Sequence, residues 1–485
     1  MKKICLLAIG IVFSLSAKAQ LNEQYPLLLG QYGLNGTANY ISRAGALGAI
    51  GGDITAANFN PAGLGIYSKS EITFSSGIYL SSSSTLLDKL KFDNNRAAYN
   101  LGNLGMVYTI NNESDPFFKS FQFGLALNQL KNFSNNINLA RQSNTSYIST
   151  IINDIKFTDD LFYQSGVVWI DDTTTGHLTS NFLSGDFDQY KSIETYGSLN
   201  SLDLTFATNI SNVVYVGAAI GLPYLNYTQS ETLTEERFVP DSVTNEYIKT
   251  DEYDFRKKTE LSGSGVNFKL GIIVKPVDWL RIGAAIHTPT YYEITDSYWA
   301  SVNNADYVAD YYGSASGRAD DLLYSIQTPF RFIGSLAFVL GDNTSKVKGS
   351  ISGDYEYANY SAMKFGSYDN ISELQNINYS ISDIYRPTHS FRIGGELVTG
   401  PFAFRAGFAT QGNPYVADIN DNSQQYITCG IGFRGQSVSF NLAYAYNLTA
   451  DSKVYSFYAN DDSSIMPASL SQNSHLIQAT LGFKF

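Results

Sequence analysis

Charge is the first thing this chain is short of. Asp, Glu, Lys and Arg make up 16% of its 485 residues, against about 25% in ordinary globular domains. Disorder is excluded, because the low charge comes with 44% hydrophobic and 14% aromatic residues. Cysteine is nearly missing: Cys5 and Cys429 cannot make a disulfide scaffold or a Cys-based zinc site. Histidine is sparse as well. His177, His287, His389 and His475 stand far apart with no HExxH spacing, so neither a metal nor a cofactor is expected. Basic runs are absent and the formal net charge is −12, which argues against a nucleic-acid partner. After the first twenty residues no long apolar run occurs, so helical membrane spans are excluded.

What is present begins with an export signal. Met1-Lys2-Lys3 is a short positive region, Ile4 to Ala17 is uncharged and mostly apolar, and Ala17-Lys18-Ala19 fits the small-residue cleavage pattern. Cleavage after residue 19 would remove Cys5 and leave Gln20 first. Strict alternation then recurs along the chain. Phe121, Phe123, Leu125 and Leu127 interleave with Gln122, Gly124, Ala126 and Asn128; Val438, Phe440, Leu442, Tyr444, Tyr446 and Leu448 do the same further on. Period two means strands with one apolar and one polar or small face. In water such strands would bury their apolar faces in a sandwich. In a transmembrane barrel that face meets lipid, and aromatic residues gather at the interfaces. The 35 Tyr and 30 Phe favour the barrel.

Strands are expected near 69–80, 97–110, 118–130, 199–209, 212–225, 261–275, 279–290, 326–340, 345–359, 386–399, 402–411, 424–434, 437–449 and 474–485. The connections alternate. Short ones include Ile210-Ser211, Gly400-Pro401 and Gly435-Gln436, whereas long ones fall at 81–96, 131–198, 226–260, 291–325, 360–385, 412–423 and 450–473. Short periplasmic turns and long external loops characterise outer-membrane barrels. About fourteen strands, an even number, would put both chain ends in the periplasm. The last strand carries Ile477, Ala479, Leu481, Phe483 and Phe485 on one face and stops at Phe485. This resembles the terminal aromatic read by the barrel-assembly machinery of Gram-negative bacteria.

Charge tests the faces. Lys269, Arg281, Arg331, Arg392, Arg405 and Arg434 lie out of phase with the large apolar residues of their strands, as do Asp203, Asp354, Glu356 and Glu396. A basic residue at the lipid face in mid-membrane costs about 2–4 kcal/mol, so these belong inside. A lumenal ion-pair network is the first expectation for most of them; contact with an anionic head group is the sharper one. The adjacent pairs His389-Ser390 and Ser474-His475 face opposite sides of a strand. They make no catalytic dyad, and no enzyme is expected.

Residues 20–68 do not read as strand. Within them, Ser42 to Gly65 is SRAGALGAIGGDITAANFNPAGLG. Its glycines follow no strand and precede no GK[ST], so a nucleotide loop is excluded. Asp53 can cap a short helix through Thr55 and Ala56, and Asn60-Pro61 ends it. Small residues suit a segment packed within a wall, so a plug (20–68) before a barrel (69–485) is expected.

The stretch Gly51-Gly52-Asp53 to Asn60-Pro61-Ala62-Gly63, followed directly by a strand, resembles the hatch of the outer-membrane long-chain fatty-acid transporter family (FadL/TodX type). Leu280 to Pro289 (LRIGAAIHTP) and Asp354 to Tyr360 (DYEYANY) also look similar to it. The resemblance implies an all-β fourteen-stranded barrel with an N-terminal hatch. It implies passive uptake of fatty acids or other hydrophobic compounds by a monomer set among outer-membrane lipid and lipopolysaccharide. It further implies capture at the extracellular side, a hatch movement, and sideways release at a kinked third strand. That strand is Phe118 to Leu130 here, with Gly124 as the candidate kink. Capture would fall to the 131–198 connection, whose aromatic run from Ile148 to Ile170 equally suits a loop packing on itself. Some barrels of this kind serve secretion systems instead, and an outer-membrane lipid hydrolase is the third alternative.

Overall fold

A computed structural model describes residues 22–485 apart from 88, 113, 154, 156–159, 173, 175, 245, 309–310, 320, 342–344, 346, 367–372, 418–420 and 455–467. The expected export signal at 1–19 lies outside the described residues. No helix among them is long and apolar enough to cross a membrane.

The wall is one antiparallel sheet closed on itself. In chain order it holds β1 (Glu71–Leu87), β2 (Leu90–Asn111), β3 (Phe118–Asn132) and β4 (Asn135–Ser143). A separate hairpin, β5 (Trp169–Asp172) and β6 (His177–Thr179), follows within the next connection. The wall resumes with β7 (Asp186–Ile210), β8 (Val214–Pro240), β9 (Tyr247–Val277), β10 (Leu280–His287), β11 (Tyr291–Asp306), β12 (Tyr311–Arg318), β13 (Leu322–Gln327) and β14 (Arg331–Leu340). It ends with β15 (Val347–Asn359), β16 (Lys364–Gly366), β17 (Pro387–Thr399), β18 (Phe402–Gln411), β19 (Gln424–Arg434), β20 (Val438–Val454) and β21 (Ala468–Lys484). β3 with β4, β10 with β11, β12 with β13 and β14, and β15 with β16 are interrupted single staves. The barrel therefore has fourteen strands. β21 pairs back onto β1 from Glu71↔Lys484 to Leu86↔Ser469, which removes both sheet edges.

Alternation decides what each face meets. From Val216 to Tyr224, the odd and even positions of β8 alternate between exposed and buried without a break. Phe74, Leu125, Leu204, Ile220, Leu270, Leu336, Ile393, Phe404, Ile431, Leu442 and Leu481 all point outward and lie exposed. They form one belt around the barrel, far beyond the few hundred Å² of contiguous apolar surface that a soluble monomer shows. Hydrocarbon is the medium that accommodates it. Aromatic pairs edge the belt at the short-turn end, with Trp279 stacked on Phe338 (6.1 Å) and Phe402 against Phe433 (5.9 Å). His389 and His475 donate to or accept from Tyr355 and Tyr444 hydroxyls on the outer face, at 2.7 Å each, so neither serves the neighbouring serine.

Three expected long connections are mostly strand. β1 and β2 run on to Leu87 and Leu90, β8 and β9 to Pro240 and Tyr247, and 291–325 holds β11, β12 and most of β13. All three extend the wall past the apolar belt. Beyond the belt the outward positions carry charge, so the lipid-facing pattern stops while the ladder does not. In the 131–198 connection, α4 (Tyr147–Ile151) sets Tyr147 and Ile148 in one cluster with Phe162, Val168 and Phe182, and this packs against Leu233, Tyr253 and Phe255 of the extended strands.

The lumen is filled by the N-terminal segment. It comprises α1 (Gln24–Gly30), α2 (Ala38–Ile41), α3 (Ile54–Phe59) and a 3-10 turn at Pro61–Ile66. Phe485 lies at the short-turn end, its N–H donating to Ser70 O (3.0 Å). The first described residues lie at the opposite end, where Tyr385 donates to Glu23 O (3.1 Å) and Gly33 N–H to Leu130 O (3.0 Å). A plug that spans the lumen's height and then enters β1 at the bottom must start at the top. The first described residues and Phe485 therefore lie at opposite ends of the barrel.

Candidate functional site

The hatch motif proves to be the plug's framework. Gly51 and Gly52 adopt φ of +62° and +67°, where a side chain is strained. Gly52 N–H donates to Gly63 O (2.9 Å), and a Cβ on Gly51 would sit 2.7 Å from Gly63 Cα. Asp53 caps α3, accepting from Thr55 N (2.9 Å), and also from Thr37 Oγ1 (2.7 Å) and Asn39 Nδ2 (2.8 Å). Asn60 closes α3 and opens the next turn: its Oδ1 accepts from Ala62 N (3.1 Å), and its Nδ2 donates to Gly48 O (2.8 Å) and to Ile272 O in the wall (3.3 Å). Pro61 starts that turn, where no N–H is needed. Ala62 is fully buried. The wall yields at this contact, since a Cβ on Gly271 would fall 2.0 Å from Asn60 Oδ1.

The inward charges tie hatch to wall. Glu396 on β17 takes Arg405 (2.7 Å), Arg434 (2.6 Å) and, from the hatch, Arg43 (2.6 Å). Glu356 on β15 takes both Arg331 and Arg392, the latter at 2.6 Å. Arg331 also reaches Gly30 O and covers the Tyr32 ring (4.3 Å), while Arg392 covers Phe59 (4.3 Å). Lys269 pairs with Asp203 (2.8 Å) and holds Asn58 of the hatch. Arg281 donates to Ile50 O (2.7 Å), and Asp354 accepts from Gly48 N (3.0 Å). Of the six basic positions expected inside, all meet an internal partner. Arg43 and Asn58, the hatch halves of these ties, were not singled out from sequence; Arg43 had no strand phase to betray it.

Above the hatch lies a packed apolar cluster. Leu27 and Leu29 of α1 sit among Leu130, Phe133, Leu199, Leu225, Tyr227, Leu261, Tyr292 and Tyr324 from the wall. α6 (Glu373–Ile384) covers it with Leu374 and Ile381, joined by Tyr385. QYPLLLG is a visible apolar run, but nothing in sequence tells that it fills a barrel.

Beside this cluster the β2–β3 ladder is incomplete. The β2–β3 ladder runs from Asn111↔Ser120 to Asn103↔Asn128 and stops, while β2 continues to Leu90. Gly102 is a bulge against β1, and the β3–β7 register breaks between Gln129 and Lys131. β4 then lies inside the β1–β2 hairpin, with Thr85 Oγ1 donating to Asn138 O (2.5 Å) and Asn138 Nδ2 to Asn94 Oδ1 (2.8 Å). The sequence expectation of a kink at Gly124 is thus displaced. Gly124 pairs regularly with Val107 and Thr205, and a Cβ there would meet Leu64 of the hatch at 3.0 Å. Its smallness serves hatch packing; the irregular step comes five residues later.

Outside the belt, Glu235 and Asp160 are among the cap's buried carboxyls. Glu235 accepts from Tyr147 N (2.8 Å) and Tyr253 Oη (2.8 Å), and from Ser146 and Gln189; burial still pushes its pKa up. Asp160 caps α5 (Leu161–Gln164) through Phe162 N (2.9 Å) and is pushed up by burial to about 6. Among the described residues no cluster of His, Cys, Asp and Glu could hold a metal ion.

No family model matches the sequence, and no curated protein does. Solved structures do. A FadL homologue of Pseudomonas aeruginosa superposes with a TM-score of 0.52 at 14% identity, over 94% of this chain and 100% of that one. The toluene transporter TodX of P. putida gives 0.52 at 12%, over 93% and 99%, and the monoaromatic hydrocarbon channel CymD gives 0.51 at 11%, over 94% and 99%. At such identities the likeness concerns architecture alone. The chain has the fold of the FadL- and TodX-type channels: a fourteen-stranded transmembrane β-barrel with its N-terminal segment inside.

Proposed function

We propose that this protein is a passive channel for hydrophobic compounds in the outer membrane of a Gram-negative bacterium, with its short turns periplasmic. The reading rests chiefly on one observation: the apolar cluster over the hatch, packed around α1, lies beside the place where β2 loses its ladder to β3. A hydrophobic ligand entering from the long-loop side would take the place of α1 in this cluster and leave through the wall into lipid. It need not cross the hatch, whose interior is charged and paired. TodX is a toluene transporter and CymD a monoaromatic hydrocarbon channel, which supports the same reading. In this reading the barrel works as a monomer within lipopolysaccharide and lipid, and Phe485 is the signal read at assembly. Fatty acids and aromatic hydrocarbons both remain candidate cargo.

Native mass spectrometry of the purified protein tests this directly. A co-purified hydrophobic small molecule supports transport, and a bound secreted protein supports the interaction-barrel alternative. A diazirine-bearing hydrophobic probe should then label Leu101 to Asn103 and Leu130 more heavily than the hatch base around Gly63. Labelling confined to the base would remove the lateral route.

A further inference from the structure

One carboxyl is set into the apolar cluster around α1. On β11 the inward positions are Tyr292, Ile294 and Asp296, and Asp296 is 1% exposed. Its cross-strand partners are Leu261 on β9, a member of the cluster, and Leu322 on β13, which packs against it. Asp296 Oδ2 accepts from Tyr324 Oη (3.2 Å), while Oδ1 has no partner among the described residues. Burial pushes the carboxyl's pKa up to about 7, and the charge that adds to this is a second carboxylate, Asp321, itself held by Arg318. No Lys or Arg among the described residues pairs with Asp296. Lower in the lumen, by contrast, Asp203, Glu356 and Glu396 each hold a Lys or Arg. A buried carboxyl with neither counter-charge nor full hydrogen bonding is costly.

Its other surroundings are aromatic. Tyr324 packs against Phe365 (5.3 Å) and Tyr227 against Phe133 (5.2 Å). From α1 comes Tyr25, whose phenol is pushed up by burial and then by the Asp296 carboxyl. Displacing α1 therefore removes Tyr25 from beside the carboxyl.

Building on the channel reading, in which the ligand replaces α1 in this cluster, we propose that Asp296 selects the cargo. The channel takes hydrophobic amines, with the ammonium against Asp296 and the Tyr324 ring and the hydrocarbon where Leu27 and Leu29 now lie. An ammonium brings both things that Oδ1 lacks, a donor and a positive charge. Tyr ring faces attract such a cation where water is excluded. A carboxylate head would meet a like charge there, and an alkane would leave Oδ1 unanswered.

The test uses the whole protein in phosphatidylcholine nanodiscs at pH 8, with empty discs as the blank. Four ligands of equal chain length are compared: dodecylamine, dodecanol, dodecane and dodecanoate. Calorimetry should find dodecylamine bound about tenfold tighter than dodecanol or dodecane, with dodecanoate weakest. Asp296→Asn keeps the shape without the charge and should bring dodecylamine down to the level of dodecanol. Should that variant fail to fold, the ranking in the unaltered protein still decides. If any of the other three binds as tightly as dodecylamine, or if folded Asp296→Asn keeps the amine's advantage, the selection by Asp296 is overturned and the channel reading stands. If none of the four binds, the channel reading falls, and this inference with it.

Discussion

Replacing Glu396 by Gln should unseat the hatch from one side. Its carboxylate answers three guanidinium groups, and the side chains of Arg43 and Arg405 are 3% and 1% exposed. Breaking a buried pair by removing one partner costs about 3–5 kcal/mol, because the other charge stays buried and unanswered. Here two buried cations and one surface cation lose the same partner, so Glu396→Gln belongs at the upper end of that range. Arg43→Gln leaves Glu396 with Arg405 and Arg434 and should cost less, about 1–3 kcal/mol for a lost charge-assisted bond. Arg434→Gln removes a side chain that is 42% exposed and should cost about 0–1 kcal/mol. Hydrogen exchange at Ser42 to Gly48 reads the seating directly, and planar-bilayer conductance reads leakage. Both should rank the variants Glu396, Arg43, Arg434. Equal protection in all three variants would refute the view that this cluster anchors the plug.

The remaining predictions concern other contacts. Asn60→Ala deletes a cap and two ties and should loosen the Pro61–Ile66 turn by about 2–3 kcal/mol; unchanged exchange at Gly63 and Tyr67 would contradict this. Asp160 sits above the ordinary aspartate value, at about 6, so its folded form holds a proton that the unfolded form has lost. The cap is therefore most stable below about pH 4, weakens by roughly 3 kcal/mol as pH rises to about 6, and is flat above. Asp160→Asn should abolish that slope, followed by exchange at 161–168 corrected for intrinsic rate. Replacing Leu27 and Leu29 by Ala removes two buried side chains of α1, at about 2–5 kcal/mol each. Helix α1 should then detach, and the space it leaves should take up a hydrophobic fluorophore faster; uptake equal to the parent would show that α1 does not occupy the ligand's place.

How far the sequence carries this structure depends on what is periodic. All fourteen expected strands occur, because alternation between lipid and lumen is local and period two survives along each strand. Strand length was less legible. Beyond the membrane the outward face becomes charged, so β8 and β9 continue as ladder where the residues read as loop. The hatch turns were legible too: Asp53 and Asn60 act through neighbours two or three residues away. The ties between hatch and wall were not, because Arg43 and Glu396 are some 350 residues apart in sequence and meet only when the barrel closes.

The same distinction explains the misplaced kink. A glycine inside a strand signals either a bend or a close neighbour, and sequence cannot tell which. At Gly124 the neighbour is Leu64 of the hatch, three ångströms from where a Cβ would be, and the ladder on both sides is intact. The break falls at Gln129–Lys131, where nothing in composition marks it, because its cause lies elsewhere. Gly33 of the N-terminal segment takes the Leu130 carbonyl, and β4 folds inward beneath the β1–β2 hairpin. The irregular step against β7 therefore falls where the N-terminal segment bonds to the wall, a contact between residues about a hundred positions apart that no local pattern in β3 announces.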